Sequence, residues 1–378
     1  MSQATAWDEQ DWIDPPSIYR GAPFWSWNER LDPARLCRQI EQMHAAGMGG
    51  FFMHSRYGLK TAYLSGEWFE CVSACVAKAR ELNMKAYLYD EDRWPSGAAG
   101  GLVTRDRPEF GRQLLVAIEG EKLPEALEHI GSFAVKLDAS ETLIDYRPVD
   151  DSGELAEGEK LISFGAGVSE SSTWFNEAPY LDVLNADAVA EFIRVTYQAY
   201  ADRYGDDFGE LIPAIFTDEP NYGHGHFEAE GKICTVTWTA ALPMTFKKRR
   251  GYDLRDRLPE LIYATDAADR PGFSAVRHDF WLTVTELFVE NFSAQIGRWC
   301  GKHNIAMSGH YLAEESMVRQ IGQIGSAMPH YAWQQWPGID ILTDQRREIS
   351  TAKQCSSVAA QVGHERVLSE LYGCTGWD

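Results

Sequence analysis

The segment Leu211-Ile-Pro-Ala-Ile-Phe-Thr-Asp-Glu-Pro-Asn-Tyr222 decides how the rest of the chain is read. Ile212, Ala214, Ile215 and Phe216 make a short apolar run of the kind that fills a strand buried on both faces. The run stops at Asp218-Glu219-Pro220. Proline cannot continue the ladder, so two carboxylates stand at the strand's C-terminal edge. Alternation puts Thr217 and Glu219 on one face of the strand, Phe216 and Asp218 on the other. In a parallel barrel one of the two acids then overhangs the mouth, where active sites are built. Alone, the motif equals an acidic turn after a buried strand; the other strand ends decide between the two.

Upstream, residues 20–29 read as a first strand carrying Trp25 and Trp27, and Asp32-Pro33 opens a helix. Gly47 to His54 is a second strand, followed by Ser55-Arg56. After an amphipathic helix with Trp68, Val72, Cys75 and Val76 on one stripe, Lys85 to Tyr89 is a third, ending in Asp90-Glu91-Asp92-Arg93-Trp94. Downstream, Asn304 to His310, Ile339 to Thr343 and Arg366 to Glu370 read as strands five, six and seven. Strand and helix alternate roughly every 30 residues, the rhythm of a parallel β/α fold. The expected architecture is therefore an incomplete (β/α)8 TIM-type barrel of seven strands over residues 18–378, after a loose tail at 1–17. A β-rich insertion at 113–178 and a mainly helical one at 227–278 interrupt it.

The 378 residues exceed the ~250 of a plain barrel, which leaves room for those insertions. Hydrophobic residues make up 44% and aromatics 12%, enough for a large core. With 35 basic residues against 56 acidic ones, the net charge is −21. Such a surface repels polyanions, so nucleic acid and anionic membrane are poor partners, and a neutral substrate fits better. No run of about 18 apolar residues exists to span a membrane. The polar start has no signal-peptide core, and the seven cysteines form no C-x-x-C pair. Both point to a cytoplasmic protein with reduced thiols.

The strand ends collect Trp25, Trp27, His54, Arg56, Asp90, Asp92, Arg93, Trp94, Asp218, Glu219, His310, Asp344 and Glu370. Packing alone does not call for charge at such positions, because buried unpaired charges are costly. Carboxylates that bond hydroxyls and move protons, interleaved with aromatic faces that pack on a sugar ring, describe a carbohydrate site. Glycoside hydrolysis needs two carboxyl groups flanking the scissile bond. Glu219 from strand four and Glu370 from strand seven supply them. Competing readings are a metal-dependent sugar isomerase or aldolase-type barrel with His54, His310, Asp90 and Asp344 as ligands, or a sugar-binding fragment without catalysis. The tryptophans could equally be core, and Asp90-Glu91-Asp92 could serve only to pair Arg93 and Arg56.

Five stretches carry a resemblance: residues 20–28 (RGAPFWSWN), 49–59 (GGFFMHSRYGL), 89–97 (YDEDRWPSG), 216–220 (FTDEP) and 369–373 (SELYG). They resemble the glycoside hydrolase family 106 α-L-rhamnosidases and the large glycosyl hydrolases grouped with them. The resemblance implies a β/α barrel catalytic domain acting on a terminal sugar of plant or microbial polysaccharide, with inversion at the anomeric carbon. It also implies Glu219 as general acid, Glu370 as general base, Tyr372 at the substrate and room for an active-site calcium ion. Members of that group are usually longer, with β-sandwich domains after the barrel, whereas no eighth strand is found here. The expectation is thus a truncated, aggregation-prone and inactive chain. Strands four and seven also carry the carboxylates of retaining clan A glycosidases. Sequence leaves the stereochemistry open, and carboxyl separation decides it, at ~5–5.5 Å for retaining and ~6.5–9.5 Å for inverting enzymes.

Overall fold

The computed structural model describes residues 9–120, 123–149, 154–223, 225–267, 270–271, 274–342, 349–371 and 373. In chain order, β1 (Phe24–Trp27), β2 (Gly50–Ser55) and β3 (Lys85–Tyr89) pair in parallel. Helices Pro33–Ala45 and Gly66–Glu81 connect them, capped by Asp32 on the Arg35 N–H (2.7 Å) and Ser65 on the Trp68 N–H (3.2 Å). The chain then leaves as β4 (Gln113–Glu119), β5 (Glu128–Leu137), β6 (Thr142–Pro148) and β7 (Glu159–Val168), and returns as β8 (Ala214–Asp218). It leaves again through β9 (Lys232–Trp238), β10 (Ala264–Ala267) and β11 (Arg270–Pro271). It comes back as β12 (Ala306–His310), β13 (Gly338–Ile341) and β14 (Leu368–Leu371).

The central sheet runs β1-β2-β3-β8-β12, and β13 and β14 form a separate parallel pair beside it. The continuous seven-stranded barrel sheet expected from sequence is thus resolved as a curled half-barrel of five strands plus two. The break has a local cause. Pro337 has no N–H to give, and Trp336 turns back on β12, its N–H bonding the Met307 carbonyl (3.1 Å) and its carbonyl the Ser308 hydroxyl (2.9 Å). Curling is measurable on the inner face. Phe24 on β1 and Phe216 on β8 have ring centroids 4.7 Å apart, although strands three places apart in a flat sheet lie ~14 Å apart.

Alternation sorts the two faces. Phe24, Phe52, Tyr87, Tyr89, Ala214, Phe216 and Ala306 fill the inside with Trp336 and Leu368. Trp25, Trp27, Phe51, Met53, Leu88, Ile215 and Met307 point outward into the core shared with the helices. The two insertions are one structure: a seven-stranded sheet, β11-β10-β6-β5-β7-β4-β9. Residues 227–278 are therefore not simply helical. Helices Leu242–Arg250 and Pro259–Ile262 lie between strands that satisfy the open edges of β4 and β6. Among the described residues no helix is long and apolar enough to cross a membrane.

Candidate active site

On four of the strands an uncharged inward position is followed by an ionisable one at the C-terminal end. Phe52 is followed two residues on by His54, Phe216 by Asp218, Ser308 by His310 and Leu368 by Glu370. On β13 the inward residue is Asp340, paired in register with Glu370. Glu219 should point away from Asp218, yet its backbone turns into the left-handed region, φ +48°. Its carboxylate thereby joins the same cluster.

His310, 1% exposed, is the hub. Its Nε2 lies 3.4 Å from Asp218 Oδ1, 3.7 Å from Glu219 Oε1 and 3.8 Å from Asp340 Oδ2; its Nδ1 lies 3.7 Å from Glu370 Oε2. None of these contacts has the distance and alignment of a hydrogen bond, and both ring nitrogens are buried without a hydrogen-bond partner. Burial alone would lower the imidazole pKa, but Glu219, Asp218, Glu370 and Glu314 lift it well above its usual value. The hub is held as a cation among acids. Asp218 is the anchor anion. Burial works against its charge, yet His54, His310 and the Tyr89 hydroxyl (2.7 Å) keep its pKa below normal.

The remaining carboxyls are pushed the other way. Burial raises Glu370 to about 8, with Asp218, Asp340 and Glu219 adding to the rise and His310 opposing it. Burial raises Asp340 to about 6, again against His310. Behind the cluster Glu314, 3% exposed, accepts from the Tyr311 N–H (2.9 Å), the Tyr331 hydroxyl (2.8 Å) and the Asp340 N–H (3.3 Å). Burial lifts its pKa to about 7. His54, 3.6 Å from Asp218 and fully buried, has its pKa lowered by desolvation and is the neutral imidazole of the pair.

A second layer forms just past the ends of β2 and β3. Arg56 stacks over the Trp94 ring (4.8 Å), and Trp94 meets Trp174 edge-on (4.9 Å). Arg93 pairs with Asp92 (2.9 Å) and donates to the Asn176 side chain (3.0 Å). Beneath them Glu91 accepts four backbone N–H groups, from Asp92, Gly97, Ala99 and Gly100, at 2.6–2.9 Å. That clamp shapes the loop.

His54, Asp218, Glu219, His310 and Glu370 are thus brought together, with Arg56, Asp92, Arg93 and Trp94 at the rim. Two expectations are corrected. Trp25 and Trp27 face outward, edge-on to each other (5.4 Å), because Phe24 and Ser26 hold the inward positions of β1. Asp90 also faces away, bound by the Ser96 hydroxyl (2.5 Å) and the Tyr197 hydroxyl (2.6 Å). Tyr372 and Asp344 lie outside the described residues. The metal set His54, His310, Asp90 and Asp344 is consequently not assembled among them. Sequence reasoning missed Asp340, sitting between two isoleucines, and Glu314, in the loop after β12.

Two trios could hold a metal ion, Asp218–His310–Glu370 and Glu219–His310–Asp340, their ligand atoms all within 4.8 Å of one another. Asp340 Oδ1 and both His310 nitrogens are buried without partners, as ligand atoms would be. Calcium takes six to eight oxygens, so it would draw on the four carboxylates, whereas an ion that accepts nitrogen could also use His310.

No family model and no curated protein matches this sequence. Among solved structures the chain is similar to the rhamnosidase from Novosphingobium sp. PP1Y, with a TM-score of 0.64 and 15% identity. The match covers 96% of this chain and 53% of that one, so the chain spans about half the length of that protein. At that identity the likeness establishes a rhamnosidase-like fold.

Proposed function

We propose that this chain carries the acid/base site of a glycoside hydrolase, with an α-L-rhamnoside-like sugar as its first candidate substrate. One observation carries the reading: Glu219, just past β8 of the central sheet, and Glu370, on β14 of the separate pair, both approach His310 at 3.7 Å, on different ring nitrogens. Their facing oxygens are therefore within about 10 Å of each other, compatible with either stereochemical course. We read the five and two parallel strands as the larger part of a β/α barrel, whose C-terminal mouth holds the cluster.

In this reading Glu370, raised to about 8, keeps its proton at neutral pH and gives it to the leaving oxygen. Glu219 takes a proton from water or attacks the anomeric carbon. That order reverses the roles implied by the family resemblance. Cationic His310 offsets the buried negative charge of Asp218 beside Glu219 before substrate arrives. The deciding experiment is a panel of aryl glycosides beginning with the α-L-rhamnoside. Release of the aryl alcohol that falls ~10²–10⁴-fold in Glu370→Gln on poor leaving groups supports the reading, and no turnover of any member sinks it.

A further inference from the structure

The cluster around His310 is acidic, but the rim beside it is basic. The Arg56 guanidinium has the Trp94 face as its contact and makes no hydrogen bond or ion pair among the described residues. Trp174 continues that aromatic surface and lies parallel to Tyr57, 5.7 Å away at 3°, with Tyr57 69% exposed. Arg93 sits 5.8 Å from the Tyr57 ring centre and 5.7 Å from that of Trp174. With Arg105 it borders an adjoining cavity of about 270 Å³, which Arg56, Tyr57 and Trp174 do not line. Arg105 reaches only the Gly100 and Asn176 carbonyls, each at a long 3.5 Å. The carboxylate bound within this group, Asp92, is already taken by Arg93, Asn176 and the Ser55 hydroxyl. On a chain of net charge −21, three neighbouring guanidiniums of which only Arg93 is paired with a carboxylate run against the overall field.

We propose that this rim is a subsite for a uronic acid, whose carboxylate Arg56 binds while Trp174 and Tyr57 offer a face to its ring. A stacked guanidinium keeps its in-plane N–H fork free, and that fork matches a carboxylate. The acids around His310 repel an anionic sugar from the cleavage position itself, so the uronate occupies the neighbouring unit. At this one place the proposal departs from the neutral substrate that net charge favours. The proposal rests on the hydrolase reading only for which unit is cleaved.

The test measures binding by saturation-transfer NMR, comparing methyl β-D-glucuronide with methyl β-D-glucoside on the whole chain. The glucuronide should bind about tenfold more tightly, one charged hydrogen-bond pair being of that order. Raising salt from about 0.05 to 0.5 M should weaken it but not the glucoside. Arg56→Gln should abolish the preference. Equal binding of the two by the unaltered chain overturns the proposal even if Arg56→Gln fails to fold. Hydrolysis of neutral aryl glycosides with no uronide preference also overturns it. Glucuronide preference without any glycoside turnover supports the rim and removes the hydrolase reading alone.

Discussion

Glu219 reaches His310 only because residue 219 leaves β8 in the left-handed region, at φ +48°. Regular strand alternation would carry its carboxylate to the opposite side from Asp218. A non-glycine residue held there stores ~1–3 kcal/mol of strain. Glu219→Gly should therefore be more stable than Glu219→Gln by about 1 kcal/mol, since glycine adopts that φ freely. Both should lose the same ~10²–10⁴-fold in kcat expected of a general acid–base group. Urea midpoints and kcat measured on the two variants check this; equal stability would mean that no strain is stored at 219.

Acid and base can be told apart by leaving group. With Glu370 as the proton donor, Glu370→Gln should lose ~10²–10⁴-fold in kcat on poor leaving groups and much less on 2,4-dinitrophenyl glycosides, which need no proton. Glu219→Gln should lose activity on both. The alkaline limb of kcat/KM should fall near the Glu370 value of about 8 and vanish in Glu370→Gln. The opposite rescue pattern would restore the assignment implied by the family resemblance.

The inward strand ends were legible because each follows an apolar run with period two: Phe52 to His54, Phe216 to Asp218, Leu368 to Glu370. The same rule misleads on β1. Trp25 and Trp27 alternate just as regularly, and nothing local says which of the two faces turns inward. Asp340 was hidden because Ile-Asp-Ile reads as a strand interior, and the site was sought at Asp344 past its end. Glu314 and the joining of β9 to β4 depend on contacts between distant segments, which no window of sequence contains.

His310 compensates the acids around it, so its removal should be felt in the fold. His310→Gln leaves those buried carboxylates without a counter-charge, an effect of about 3–5 kcal/mol for a broken buried pair. The loss should shrink toward pH 5, where Asp340 and Glu370, raised to about 6 and about 8, carry protons. Denaturant unfolding of the variant at pH 5 and pH 8 checks this. A loss independent of pH would show that His310 acts by packing alone.

Stability should fall as pH rises across neutrality. Glu370 is raised from 4.5 to about 8, Glu314 from 4.5 to about 7 and Asp340 from 3.8 to about 6. Between those limits the unfolded chain has released protons that the folded chain still holds, so stability declines with pH. His310 has the same sign. Its raised pKa gives stability fully present below 6.5 and lost as pH rises through the folded value. Asp218 is lowered, so its contribution is present above 3.8 and lost only as pH falls through its folded value. His54, lowered by burial, has the opposite sign but acts only below 6.5, so Tm should drop from pH 6.5 toward pH 8, with a shallower drop in Glu370→Gln. A flat profile would contradict the cluster's electrostatics.

The outer side of β14 sets the last expectation. Its inward residues, Leu368 and Glu370, are engaged, but Val367 is 54% exposed and Leu371 52% exposed on the opposite side. Among the described residues β14 pairs only with β13. An open edge beside exposed apolar side chains is a template for pairing with another chain, and charged residues there suppress it. The chain should therefore associate as its concentration rises, visible as growing light scattering. Val367→Lys combined with Leu371→Lys should keep it monomeric without changing Tm by more than a few degrees, since both side chains already face water. If the unaltered chain scatters as a monomer at high concentration, or the lysine pair leaves association unchanged, the contact must be sought on another face.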